Sequence, residues 1–491
     1  MRDLSWLPGI RRAAVVGASK KRRYFFVRAF ALQFRGEIVA VNPSLDPGAP
    51  LDGLESVRAY PSVLDVPGEV DYAFVTVPRE QVPGVLRQCV KKGVKLVAVF
   101  TADFSDSGTE EGRRLERELR EILESCDFST RLLGPNGMGL TYPRVGLCWR
   151  PNVPPSEGGK VTAIFQSGGL SNLLIYSAKN AGLPLGKVFS FGNGLDLDLV
   201  ELLRFSLERD DECAFVAGYV EGIKEGGAGE FLRLLRTRNK PVLLLKGGRT
   251  ETGRAAAGTH TASIAGDAAA WRAVLRQHNV VTVGDFDALF DAVQFFHCVV
   301  DRPDLKDQVP RGVCTISLSG AIGVVATDLF EEAGFDVVQF RPETTRRLER
   351  LLATPGASAK NPVDVVTTIY KPLVVKGVVE AVLSDPGVDV VYFELPTWYL
   401  DVKHQVWEDS SLMDVLVDAL AMGHRFGKVV VASLPHVGYE HLRVKMQRKL
   451  LERGVPVYAG TRQVVSVLSL YRDYQEREVG RRRAGNQARS A

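Results

Sequence analysis

Cysteine is sparse in this chain of 491 residues: there are six, scattered, with no pair at C-x-x-C spacing. That excludes a disulfide framework and a paired-cysteine zinc site, and it suits a reducing cytoplasm. Long apolar runs are also missing. No segment approaches the roughly 18 consecutive apolar residues of a membrane helix, and Met1 is followed by charged residues and Trp6 rather than by the core of a signal segment. No targeting segment is read. Charge of one sign is lacking too, since the formal net charge is only +4, which points neither to nucleic acid nor to a membrane surface. Basic residues cluster at the two ends, as Lys20 to Arg23 and Arg481 to Arg483, and the Gly, Gln, Ser and Ala after the second run mark it as a solvated tail. Neither the G-x-G-x-x-G fingerprint nor an acidic ribose-binding residue at its usual offset is found, which argues against an NAD enzyme.

What is present is an ordinary soluble composition, 45% hydrophobic and 24% charged, at a length that suggests about three domains. Short β-branched runs at 13–16, 37–41, 72–77 and 94–100 alternate with helical patterns such as Gln81 to Lys92 and Gly108 to Cys126. Strand, helix, strand at this spacing predicts a parallel, doubly wound sheet. The first strand ends in Gly17-Ala18-Ser19, a tight turn where a phosphate can meet backbone amides or where Gly and Ser merely cap a helix. Other strand ends supply Asn42-Pro43, Val77-Pro78 and Thr101-Ala102. In an open α/β sheet these carboxyl ends converge on one ligand crevice.

Pro151 to Lys160, with three Pro and two Gly, reads as a linker. A strand then runs from Val161 to Phe165 into Ser167-Gly168-Gly169, the opening of a helix. Two readings are open for that turn: an anion site at a helix N-terminus, or an N-cap Ser with Gly for close packing. Further strands are expected at Lys187 to Phe191, Cys213 to Val220 and Val242 to Leu245. Asp196 and Asp198 read as caps or turn residues rather than metal ligands. Glu221 follows a strand directly, at the ligand edge of the sheet, where a carboxylate can orient an imidazole and favour its cation.

The stretch from Lys246 to Asp267 reads as a Gly-, Ala- and Thr-rich loop before a helix from Ala268 to His278. It carries one histidine, His260. Either that residue is incidental on a surface connection, or it is a mobile nucleophile, since an imidazole can accept a phosphoryl group and pass it on. A third unit begins near Gly312. Val313 to Leu318 followed by S-G-A-I-G-V-V-A repeats the strand, Ser-Gly turn and helix seen at Val161, which suggests a duplicated fold rather than a second active site. Later strands are expected at Val388 to Glu394 and Val429 to Ser433, and Ala357 to Asp364 reads as a connector. The other six histidines have no carboxylate or cysteine at ligand spacing and are read as structural or exposed.

Eight motifs in one order resemble the NDP-forming acyl-CoA synthetases, the superfamily of succinyl-CoA synthetase, and most closely the α subunit of ADP-forming acetate–CoA ligase. They are V-V-G-A-S (Val15 to Ser19), V-N-P (Val41 to Pro43), L-L-G-P-N-G-M-G (Leu132 to Gly139), Q-S-G (Gln166 to Gly168), Y-V-E-G-I (Tyr219 to Ile223), K-G-G-R-T (Lys246 to Thr250), T-H-T-A-S-I-A-G (Thr259 to Gly266) and K-N-P-V-D (Lys360 to Asp364). The resemblance runs from about Arg11 to Tyr471. It implies an α/β chain with an N-terminal Rossmann-like CoA-binding domain (1–150), a flavodoxin-like doubly wound domain with the phosphohistidine loop (151–305), a second flavodoxin-like domain (306–475) and a basic tail (476–491).

By the same resemblance His260 is the phosphoryl carrier, Glu221 steadies it, and Ser167, Gly168 and Gly169 hold phosphate. Gly17, Ala18, Ser19 and Lys20, with Asn42, Pro43, Thr101 and Ala102, contact CoA. No metal site is expected in this chain. The implied substrates are CoA or acyl-CoA, a carboxylate, phosphate and ADP or ATP. An ATP-grasp β subunit carrying Mg²⁺ is implied as partner in a hetero-oligomer, because the three α/β domains leave no room for that module. The alternative is a CoA-binding regulatory or scaffold protein that kept the fold without the chemistry, and a protein acetyltransferase would need a further domain. The chain departs from the family at Lys20 to Phe26, at Asp103 where Gly is usual, at Gly137 where many members have Cys, and at Ala262 where Gly often follows His-Thr.

Overall fold

The computed structural model describes residues 3–153, 155–260, 267–401 and 411–490, with the side chains of 256–260, 411 and 484–490 outside the description. The chain separates into two units, one of residues 1–179 with 184–289 and one of 180–183 with 290–491.

The first unit holds two sheets. Strands β1 (Arg12–Val16), β2 (Glu37–Val41), β3 (Pro50–Leu51), β4 (Leu54–Tyr60), β5 (Tyr72–Val75), β6 (Leu96–Val99) and β7 (Arg131–Leu133) lie in the order β3-β4-β2-β1-β5-β6-β7. The central pairs are parallel, with Val15 beside Ala40 of β2 and Phe74 of β5. Helices α1 (Phe25–Ala31), α2 (Val82–Lys92) and α3 (Glu110–Ser125) connect them. In α3, Leu115, Leu119, Ile122 and Leu123 recur at helical spacing and are buried, and Thr109 Oγ1 accepts the Gly112 N–H at 3.1 Å to cap the start. Gly17 has φ +98°, and a Cβ there would lie 2.8 Å from Thr76 Oγ1, so the turn after β1 admits no side chain.

The second sheet is built from β8 (Gly139–Thr141), β9 (Val161–Phe165), β10 (Lys187–Ser190), β11 (Phe215–Val220), β12 (Val242–Lys246) and β13 (Val281–Val283), in the order β13-β12-β11-β9-β10-β8. Its helices are α4 (Gly168–Ala181), α5 (Leu199–Glu208), α6 (Ala228–Thr237), α7 (Glu251–His260), α8 (Ala268–Gln277) and α9 (Phe286–Val299), the last running on into the second unit. The edge strand β8 is antiparallel to β10 and comes from before residue 150, so the second sheet begins earlier in the chain than the Pro-rich linker suggests. Phe74, Leu140, Tyr142, Phe189 and Leu203 belong to one continuous apolar cluster, which explains why the connection is packed rather than loose. A buried ion pair crosses the same seam. Arg131 Nε donates to Asp196 Oδ2 at 2.9 Å and Nη2 to Oδ1 at 2.9 Å, with both side chains about 5% exposed. Asp198 caps α5 and Asp196 lies in the bend before it, as read from sequence, with Asp196 also the partner in this ion pair. Removing one partner of such a pair costs about 3–5 kcal/mol.

The second unit carries β14 (Gly312–Ser317), β15 (Asp336–Val337), β16 (Val363–Asp364), β17 (Val390–Glu394), β18 (Val429–Ser433) and β19 (Val457–Tyr458), in the order β15-β14-β17-β18-β19 with β16 also on β14. That path matches β10-β9-β11-β12-β13 of the second sheet strand for strand, so the repeat read from sequence extends to topology. Its helices are α10 (Gly320–Glu332), α11 (Pro342–Leu351), α12 (Pro372–Leu383), α13 (Ser411–Ala421), α14 (Gly423–Phe426), α15 (Glu440–Glu452) and α16 (Thr461–Ser490).

Two sequence expectations fail here. The Gly- and Ala-rich stretch before His260 is not a loop over its whole length: Glu251 to His260 form α7, because Thr250 Oγ1 caps the Gly253 N–H at 3.1 Å and three consecutive alanines favour a helix. The expected tail from 476 is the second half of α16. Gln475 and Glu478 are buried, and Arg481 and Arg482 pair back to Glu478 at 2.6 and 3.7 Å, so the basic run belongs to a helix tied to a buried carboxylate.

Candidate active site

The carboxyl edge of the second sheet gathers the residues singled out from sequence. Gln166, just past β9, is buried; its N–H donates to Tyr219 O at 3.0 Å and its Oε1 accepts the Glu221 N–H at 2.9 Å. Glu221 is thereby fixed relative to the start of α4. Tyr219 lies two residues before Glu221, so the strand's period of two puts both side chains on one face, and the Tyr219 hydroxyl donates to Glu221 Oε1 at 2.9 Å. Burial, followed by the neighbouring Glu221 carboxylate, raises the Tyr219 hydroxyl well above the usual phenol range, which keeps it a donor. From β12, Lys246 Nζ donates to Glu221 O at 2.7 Å and also to Gly247 O, and it lies 5.2 Å from the centre of the Trp271 ring. Burial pushes its ammonium pKa down, with Glu221 opposing the shift. Gly247 is required here: a Cβ would fall 2.5 Å from the Tyr219 hydroxyl oxygen.

At the head of α4, Ser167 Oγ accepts the Leu170 N–H at 3.3 Å, so the capping reading of that turn holds. Capping does not exclude anion binding, because the first turn of a helix still presents amides and the positive end of its dipole. Gly168 is hemmed in by Met138, whose Cγ would lie 2.7 Å from a Cβ placed there. A small cavity of about 50 Å³ borders Gln166, Asn193, Asp198, Gly222 and Lys224. Lys224 carries no sequence signal beyond its place after E-G-I, and burial lowers its pKa. His260 ends α7, while its side chain and residues 261–266, Ala262 included, lie outside the described residues.

The first sheet presents the other group. Gly17, Asn42 and Thr101 follow β1, β2 and β6 on one edge, in a run of neighbouring parallel strands. The turn differs from expectation. Gly17 and Ala18 both donate their amides to Val41 O, at 2.9 and 3.2 Å, and α1 does not begin until Phe25, after a 3₁₀ turn at Lys20–Arg22. Ser19 follows this anchor as the residue before the 3₁₀ turn, and its carbonyl accepts the Arg22 and Tyr24 N–H at 3.2 and 3.0 Å. Asn42 Oδ1 accepts from the Ser44 N–H and hydroxyl at 3.0 and 2.8 Å, which makes Asn42-Pro43 a side-chain-closed turn. Thr101 Oγ1 donates to Val77 O at 2.6 Å, beside Ala102. Two departures now have causes. Asp103 has φ +70°, a left-handed conformation that favours glycine, and its N–H is held by Asp106 Oδ2 at 3.0 Å. Gly137 packs so closely that a Cβ would meet Ser190 O at 2.6 Å, leaving no room for cysteine.

Residues 11–142 match the CoA binding domain, and residues 158–296 match the succinyl-CoA ligase like flavodoxin domain. The α subunit of ADP-forming acetate–CoA ligase II from Pyrococcus furiosus is 31% identical over 388 residues, covering 78% of this chain and 80% of that one. ADP-forming acetate–CoA ligase II of Archaeoglobus fulgidus is 30% identical over 458 residues, 91% of this chain, and the chain spans 62% of that relative's length. Among solved structures, the dinucleotide-forming acetyl-coenzyme A synthetase 1 of Ca. Korarchaeum cryptofilum, in complex with phosphate and ADP, aligns with a TM-score of 0.76 at 28% identity over 98% of both chains. A CoA-binding domain joined to a flavodoxin domain of this kind defines a protein of the succinyl-CoA synthetase-like class. Within that class the chain belongs to the ADP-forming acetate–CoA ligase family.

Proposed function

We propose that this chain is the CoA-binding, phosphohistidine-bearing α subunit of an ADP-forming acyl-CoA ligase. The observation that carries the reading is the fixed set at the second sheet's edge: Gln166 ties Glu221 to the start of α4, and Tyr219 and Lys246 hold Glu221 from either side. A pure CoA binder needs no such carboxylate beside a helix start.

The reaction runs in three steps. Phosphate, held at Ser167, Gly168 and Gly169, attacks the thioester carbonyl; the carbon–sulfur bond breaks, acyl phosphate forms and CoA leaves as the thiol after taking a proton. A ring nitrogen of His260 attacks phosphorus next, the bond from phosphorus to the acyl oxygen breaks, and the carboxylate leaves. Glu221 orients the imidazole and balances the charge it gains. Phosphohistidine then gives the phosphoryl group to ADP. That transfer takes place on an ATP-grasp β subunit, with Mg²⁺ accompanying the nucleotide there. CoA rests on the first domain, residues 1–150 apart from the β8 strand that joins the second sheet, against Gly17 to Lys20, Asn42-Pro43 and Thr101-Ala102, and the two flavodoxin-like domains follow at 151–305 and 306–475. The six cysteines are free, which suits the reducing cytoplasm proposed for this protein.

Glu221→Gln keeps a side-chain acceptor for Tyr219 but removes the negative charge. A hydrogen bond or close contact to a charged group is worth about 1.5–3 kcal/mol, so phosphorylation of His260 should slow by roughly 10- to 100-fold. Rapid-quench single turnovers that follow phosphohistidine itself should show this slowing at an unchanged melting temperature, whereas CoA release, which precedes the attack by His260, should keep its rate. A phosphorylation rate equal to wild type would remove Glu221 from the mechanism.

A further inference from the structure

Met138 stands between the two groups of site residues. Its N–H donates to Ser190 Oγ at 3.0 Å, at the end of β10, and its carbonyl accepts the Trp149 indole N–H at 2.9 Å. Backbone bonds on both sides fix where the side chain starts, and its Cγ and Cε lie 2.7 and 2.8 Å from where a Gly168 Cβ would be. The thioether therefore rests on the first residue of α4. Trp149 is 3% exposed and packs on Phe26 and Phe100, with ring centres 5.3 and 5.6 Å away. Phe100 directly follows β6, Phe26 lies in the first turn of α1, and these two are half-buried, as is Met138. An apolar wall thus runs from the carboxyl edge of the first sheet to the head of α4. Arg150, 3.9 Å from the Trp149 ring centre, donates from Nε to Asn172 Oδ1 at 3.0 Å and pins the wall to that helix.

Given the proposed reaction, on which this rests, a phosphate at Ser167 to Gly169 must come within roughly 3–3.5 Å of the thioester carbon. The acyl chain attached to that carbon then begins beside Gly168, against the Met138 side chain. We propose that Met138 determines acyl specificity: its thioether, backed by Trp149, packs against a short, uncharged acyl group and limits its length. A second carboxylate on the acyl chain would be desolvated against this wall, which disfavours dicarboxylic acyl groups.

The test is single-turnover CoA release by the full chain with phosphate and acetyl-CoA, butyryl-CoA or succinyl-CoA, for wild type, Met138→Ala and Met138→Leu. One methylene in an apolar pocket is worth about 10- to 200-fold in discrimination, so Met138→Ala should raise the butyryl-to-acetyl ratio of kcat/KM by about 10-fold or more. Met138→Leu, close in volume, should keep the ratio within about 3-fold of wild type, and because a purely structural defect slows all three thioesters alike, it is the altered ratio in Met138→Ala that marks contact with the acyl group. Wild type should prefer acetyl-CoA to succinyl-CoA. A folded Met138→Ala with the wild-type ratio, or a wild type that prefers succinyl-CoA, overturns the proposal. No CoA release by wild type from any of the three thioesters would instead fell the ligase reading itself.

Discussion

Glycine at position 247 shows how narrowly the site is drawn at the scale of single residues. With a Cβ only 2.5 Å from the Tyr219 hydroxyl, Gly247→Ala must push that hydroxyl off Glu221. Losing one hydrogen bond to a charged group costs about 1.5–3 kcal/mol, so we expect a drop of roughly 10-fold or more in the rate of histidine phosphorylation. Global stability should change little by comparison, and rapid-quench measurement beside thermal melting separates the two. Glu221 and the Q-S-G turn were legible in the sequence because each follows a strand end. Gln166 and Tyr219 were visible only as letters of motifs, since what they do depends on β9 and β11 lying side by side, a non-local pairing that no local pattern reveals. The same holds for Gly137 and Asp103, whose departures from the family become intelligible only with Ser190 and the left-handed backbone in view.

The same pairing of Tyr and Glu recurs at the scale of elements. On β17, Tyr392 donates to Glu394 Oε2 at 2.9 Å, and its hydroxyl lies 2.8 Å from Ser433 Oγ of β18 and 2.9 Å from Thr461 Oγ1 at the start of α16. Burial raises the Glu394 pKa above the usual carboxylate range, against the pull of its hydrogen bonds. The folded state then holds this proton more tightly than the unfolded chain. Its contribution to stability is full below the ordinary glutamate pKa and is lost as pH rises through the raised folded value. Glu394→Gln, which stays neutral, should therefore flatten the decline in melting temperature on going from pH 5 to pH 8, and an equally steep decline in the variant would contradict this. Short β-branched runs made the strands and their alternation readable. The sequence misled where composition and structure part company: alanines make α7 a helix despite its glycines, and an Arg-rich end reads as a tail until Glu478 is seen to pair with it.

Across the whole molecule, the first unit presents two carboxyl edges, one following the CoA-binding pattern and one bearing Glu221 beside the head of α4, held to a common core by Arg131 and Asp196. The second unit repeats the topology of the second sheet but not its chemistry: where the second sheet has Lys246 at the end of β12, the equivalent strand ends in Ser433. This division fits the proposed reaction, in which phosphohistidine forms at one edge and is handed on to a nucleotide-bearing subunit. The most direct measurement is the intact mass of the protein after incubation with acetyl-CoA and phosphate, beside His260→Ala. An acid-labile gain of one phosphoryl group, accompanied by one equivalent of CoA and absent from the variant, is the predicted result. CoA binding with no such gain, or an equal gain in His260→Ala, would contradict the account.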